Sequence, residues 1–136
     1  MLEAGILPHT ISSDVHADFN GYHDDSKLDY SLCGAMTRLW GLGMALEQVI
    51  ARTTYHPAQL IREENEIGTL AVGSRADITI LNCEQGPWTL SDGQAETLTV
   101  DQRLIPAWVI RAGELIEPNQ RLLRDVCHPL STAGNG

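Results

Sequence analysis

Between His9 and Asp25 the sequence places three histidines, His9, His16 and His23, and four aspartates, Asp14, Asp18, Asp24 and Asp25, within seventeen residues. Carboxylates and imidazoles are the side chains that move protons and bind divalent cations near neutral pH. A short apolar run, Gly5-Ile6-Leu7 and then Thr10-Ile11, leads into Ser12-Ser13-Asp14, and the sequence turns polar directly afterwards. This pattern reads as a buried strand that delivers an acid to a site. In parallel α/β proteins the reactive groups sit just past the carboxyl ends of the strands, where the loops are free to vary. Asp14 holds that position, against the plainer alternative of an acid that caps a loop or helix. The histidines recur every seventh residue, which aligns side chains only on a continuous helix. Pro8, Gly21 and the polar composition argue against a helix there, so a private metal site built from His9, His16, His23 and the neighbouring aspartates is not expected.

The elements that would position Asp14 can be read in chain order. Residues 1–11 read as a helix end, a turn at Gly5 and a short strand beginning near His9 or Thr10. After a polar loop, a helix starts with Ser26 or Asp29 as candidate cap. It presents Leu28, Leu32, Ala35, Met36, Leu39 and Trp40 on one face and is closed by Gly41 and Gly43. A second helix over 44–53 buries Leu46, Val49 and Ile50 and leaves Glu47, Gln48 and Arg52 wet. A third begins at His56-Pro57 and runs through Leu60 and Ile61. Strands are expected over 67–72 and 76–82, joined by a turn at Val72-Gly73-Ser74-Arg75, and again near 88–90, 95–100 and 106–110. A hairpin turn follows at Arg111-Ala112-Gly113-Glu114. The class of structure changes near residue 65, and the end of the chain from Pro118 has little apolar content. Met36, Met44, Trp40 and Trp108 are expected in the core, Asp77 on local backbone amides, and His56 at the start of its helix or on the surface.

Length and composition set bounds. One domain suits 136 residues, and 43% apolar content is enough to bury a core. The net charge is −9, from 18 acidic and 9 scattered basic residues, which makes nucleic acid and anionic membrane unlikely partners. No apolar stretch approaches the roughly 20 residues of a membrane span, and no export signal is recognisable. Cys33, Cys83 and Cys127 form no C-x-x-C pair, which argues against a structural zinc knuckle or disulfide framework and for a reducing, cytoplasmic setting. They read as ordinary buried thiols.

Several segments, taken together, resemble a known family. Ile-Ser-Ser-Asp14-Val-His16, Met36-Thr-Arg-Leu39-Trp-Gly-Leu-Gly-Met44, Leu46-Glu-Gln-Val-Ile50, Thr53-Thr-Tyr-His-Pro57-Ala58 and Glu66-Ile-Gly68-Thr-Leu-Ala-Val-Gly73-Ser-Arg-Ala76-Asp77-Ile-Thr-Ile occur in that order. They resemble the C-terminal third of the amidohydrolase superfamily, and within it the dihydroorotase-like amidohydrolase/deacetylase metallohydrolases. The resemblance covers residues 1–117.

What the resemblance implies is an α/β fragment. Residues 1–64 would be the last strand and helices of a (β/α)8 metal-dependent hydrolase barrel, 65–117 part of a small β-sandwich, and 118–136 a tail. The Gly-x-Leu-x-x-Gly-x-x-Ala-Asp segment marks architecture and says nothing of substrate. By resemblance Asp14 would ligate the more buried metal, take a proton from the attacking water and hand it to the leaving nitrogen. His16 would be a substrate-contacting loop residue or a solvated histidine. The metal would be zinc or another divalent ion, one or two per full-length enzyme, and the substrate a small-molecule amide, cyclic or N-acyl. The family's remaining ligands, an H-x-H pair, a bridging lysine or acid and two histidines, have no counterpart here. The chain alone is therefore expected to hold no metal and to be inactive, and to self-associate through exposed edges. Departures include His56 where Asn commonly precedes Pro-Ala. The alternatives are a catalytically incomplete structural or interaction piece, and a deaminase-type member of the superfamily.

Overall fold

The computed structural model of the protein describes residues 4–13, 31–91 and 96–116. Its first helix, α1, is Leu32–Gly41. Ser31 starts it from an extended conformation, and its hydroxyl accepts the Gly34 amide at 2.9 Å, satisfying one of the first-turn donors. The expected caps Ser26 and Asp29 lie outside the described residues. At the other end the Met44 amide reaches the Leu39 carbonyl and the Gly43 amide that of Trp40, at 3.1 and 2.9 Å. This paired closure requires a left-handed residue, and Gly43, at φ 98°, supplies it without a Cβ penalty.

Helix α2 is Leu46–Thr53 and α3 is Tyr55–Leu60. A single residue, Thr54, separates them. The Thr53 hydroxyl donates to the Ile50 carbonyl at 2.9 Å and that of Thr54 to the same oxygen at 2.7 Å, so the last carbonyls of α2 find side-chain partners where the ladder ends. Pro57 is the third residue of α3, still within the first turn, where a missing amide costs nothing. Burial corrects part of the expected stripe. Val49 is fully buried and Leu46 packs on the core, whereas Ile50, Leu60 and Ile61 are exposed.

The expected strand near Thr10-Ile11 does not form. Residues 6–13 have no regular structure, and the Ile11 amide bonds the Arg52 carbonyl at 2.9 Å. A strand needs a neighbouring ladder, and among the described residues the backbone of this stretch bonds residues of α2 and α3. Residues 67–72 are not a strand either. They curl through turns: the Ser74 amide bonds the Ala71 carbonyl at 3.1 Å, with Gly73 at φ 99°, and the Arg75 amide returns to the Glu66 carbonyl at 2.7 Å. Leu70 and Val72, apolar enough to mimic a strand, face outward.

The sheet is antiparallel in the order β1-β2-β3, with β1 Ile78–Ser91, β2 Thr97–Arg111 and β3 Glu114–Ile116. The separate short strands expected from sequence are merged into two long ones. Irregular steps at Ile80/Leu81 and Gln85/Trp88 absorb Pro106 and the Gly86-Pro87 pair without ending the ladder. The expected hairpin at 111–114 forms: Arg111 pairs with Glu114, and Ala112 and Gly113 both take positive φ, 50° and 85°, as a two-residue turn of the favoured twist demands.

Helices and sheet share a core of Ile11, Met36, Met44, Val49 and Leu104, with Leu39, Trp40 and Leu81 packed against it. A second cluster joins Trp88, Leu90 and Val100. Gly41 of α1 abuts Val100, where an added Cβ would fall inside contact distance. Trp108, expected inside, is 48% exposed, and Cys83, expected buried, is exposed. No helix among the described residues is long and apolar enough to cross a membrane.

Candidate active site

The two residues singled out from sequence, Asp14 and His16, lie outside the described residues, as do His23 and the neighbouring aspartates. What the structure does describe is the stretch that leads into Asp14. Ile11 is buried among Met36, Met44, Val49 and Leu104, a contact worth about 1.5–3 kcal/mol for a side chain of this size. The next residue, Ser12, is exposed, and Ser13 is half-buried. Alternation of this kind carries the chain from the core toward its surface within three residues.

Polar contacts fix the same stretch on its other side. Arg52 Nε donates to the Pro8 carbonyl at 2.7 Å, and its Nη1 to the Gln48 carbonyl at 3.1 Å. His56 Nδ1 lies 3.1 Å from the His9 carbonyl, and the two imidazoles stack with centroids 5.1 Å apart. Sequence reading placed Arg52 on the wet face of α2 and His56 at a helix start. His56 does stand at the start of α3, and both side chains in addition reach across the chain to residues 8 and 9. No local pattern signals this, because the partners are backbone carbonyls, which look alike in every residue type.

The glycine-rich segment resolves into separate structural tasks. Gly68 sits at φ 79° against the α2–α3 junction, where a Cβ would come 2.7 Å from the Thr54 carbonyl oxygen and 2.8 Å from Ala58 Cβ. Gly73 makes the turn described above. Asp77 accepts the Ala112 amide at 2.7 Å, and the Ala76 carbonyl accepts that of Gly113 at 3.0 Å. Asp77 therefore braces the β2–β3 turn rather than the local amides expected from sequence. On the sheet, Arg103 lies 3.9 Å over the Trp88 ring and donates to Glu84 at 2.9 Å, a half-buried structural pair.

Among the described residues no group of three or more His, Cys, Asp or Glu side chains could hold a metal ion. His9 and His56 are adjacent, but among the described residues they have no third such ligand beside them. The described part of the chain does not fit a resident metal by itself.

No protein-family model matches the chain. It is similar to a deacetylase of Brucella anthropi, with 28% identity over 123 residues, and to a deacetylase of Agrobacterium fabrum, with 27% over 120 residues. These alignments take in 90% and 88% of this chain but only 29% and 28% of the relatives. Two solved structures superpose well. An adenine deaminase gives a TM-score of 0.73 at 26% identity over 86% of this chain, and a dihydroorotase 0.70 at 27% over 85%. Each is covered to 30% of its own length. The resemblance to the amidohydrolase superfamily read from the motifs is thus matched in both sequence and fold. The chain spans less than a third of the length of the curated relatives it matches.

Proposed function

We propose that this chain is the C-terminal part of a metal-dependent amidohydrolase that hydrolyses a non-peptide C–N bond, in a cyclic amide or an N-acyl group. Asp14 is the residue of this chain that would ligate the metal, take up a proton and return it to the leaving nitrogen. His16 would contact substrate in the same loop. The ion, zinc or another divalent metal, would supply Lewis-acid activation and would draw its remaining ligands from outside the described residues. The observation that carries the reading is the alignment with two deacetylases over nearly the whole of this chain. The ordered motifs around Ser13-Asp14 support it. The divisions at residues 64 and 117 belong to the same proposal, with the helical part a piece of a barrel and the strands a piece of a sandwich.

The structural likeness to an adenine deaminase favours a second reading, a deaminase-type reaction at a ring C–N bond. One panel separates the two. The complete protein that carries this sequence is incubated with N-acetyl amino acids, cyclic amides and aminopurines, and acetate, ring opening and ammonia are followed. Release of acetate or ring opening supports the first reading, and ammonia from an aminopurine supports the second. In either case Asp14→Asn should lower kcat by about 10²–10⁴-fold, the usual share of a general acid-base group. An Asp14→Asn protein as active as the wild type would remove Asp14 from the chemistry. No turnover of any class would favour a structural or interaction role.

A further inference from the structure

We propose that Arg52, with His56 beside it, is the positioning residue for the stretch that runs into Asp14, a role that rests on the reading of Asp14 given above. Residues 6–13 form neither helix nor strand, so no ladder fixes their backbone. Three hydrogen bonds from one short region take its place. Arg52 Nε holds the Pro8 carbonyl at 2.7 Å, His56 Nδ1 the His9 carbonyl at 3.1 Å, and the Arg52 carbonyl holds the Ile11 amide at 2.9 Å. A carbonyl can only accept, so His56 is the donor in its bond. Pro8, His9 and Ile11 are thereby tied to α2 and α3 immediately before Ser12-Ser13-Asp14.

The geometry of Arg52 separates this role from that of an ordinary helix-end cation. Such a cation acts on the helix dipole from solvent. Arg52 is half-buried and reaches a carbonyl 44 residues away. The second arm of its guanidinium, on the Gln48 carbonyl at 3.1 Å, braces the fork against the preceding turn of its own helix. A planar fork bonded at two points is held in direction as well as in distance, which a lysine ammonium cannot reproduce. Proton transfer is sensitive to displacements of a fraction of an ångström, so looser anchoring of Pro8, His9 and Ile11 would be felt by an acid three residues further along the chain.

The test uses the complete protein and two readouts: amide exchange at Ile11, and kcat and KM for a substrate that the wild type hydrolyses. Arg52→Met keeps the stem and removes the donors, Arg52→Lys keeps one, and Arg75→Met removes a surface partner of Glu66 as a control. Arg52→Met is expected to speed exchange at Ile11 by about tenfold or more. It is also expected to lower kcat by about tenfold or more with KM within about twofold, the lysine variant falling between and Arg75→Met changing neither. Wild-type exchange in Arg52→Met overturns the proposal, and so does faster exchange with wild-type kcat. If the wild type hydrolyses nothing, the functional reading of Asp14 fails, and exchange at Ile11 still decides whether Arg52 holds the stretch.

Discussion

Thr37 is 2% exposed, and its hydroxyl accepts the Leu104 amide of β2 at 3.0 Å. A strand amide buried beneath a helix has no access to water, so this one hydroxyl decides whether it is satisfied. Thr37→Val keeps the shape and removes the acceptor. Equilibrium denaturation should show a loss of about 1–3 kcal/mol, the cost of an unsatisfied buried donor. Arg62 is the converse case. It closes α3 as Gly43 closes α1, with the Glu63 amide on the Ala58 carbonyl at 2.9 Å and its own amide on the Gln59 carbonyl at 3.1 Å, but it does so at φ 63° with a Cβ present. Arg62→Gly should raise stability by about 0.5–1 kcal/mol in the same measurement, since relief of left-handed strain outweighs the added freedom of the unfolded chain.

Among the elements, the junction of α2 and α3 is where sequence motif and packing meet. Gly68 is pressed against the Thr54 carbonyl and Ala58, and backbone cannot yield as a flexible side chain can. Gly68→Ala therefore adds a clash to an unfavourable φ. A loss of about 2–4 kcal/mol, read from the thermal midpoint of unfolding, is expected. The helices and the 111–114 hairpin were legible in the sequence because their signals are local: the Gly43 closure, the Ala112-Gly113 turn and the 3.6-residue apolar spacing are each contained within one element. The extent of β1 and β2 was not, because Gly86, Pro87 and Pro106 read as breaks and only the cross-strand register shows that irregular steps absorb them. The strand expected at 67–72 failed for the opposite reason, since Leu70 and Val72 satisfy an apolar pattern with no ladder to join. Of the candidate site, Asp14 was visible as a residue type in a motif. The contacts of Arg52 and His56 were not, because they join positions more than forty residues apart.

On the scale of the whole molecule, the described surface carries much apolar area for a chain of net charge −9. Leu60, Ile61, Leu70, Trp108 and Leu115 are all at least 48% exposed. We expect the isolated chain to self-associate, with a light-scattering mass that rises with concentration, and a monodisperse monomer would contradict this. On the function proposed above, Asp14 is the metal-ligating acid of this chain, and no metal-binding group of three or more ligands is found among the described residues. The measurement that tests this most directly is the metal content of the purified 136-residue chain after dialysis against a weak chelator, beside an Asp14→Asn control. Neither protein is expected to retain metal. Tight binding near one ion per wild-type chain, lost in Asp14→Asn, would contradict this, because the histidine-rich segment would then build a complete site by itself.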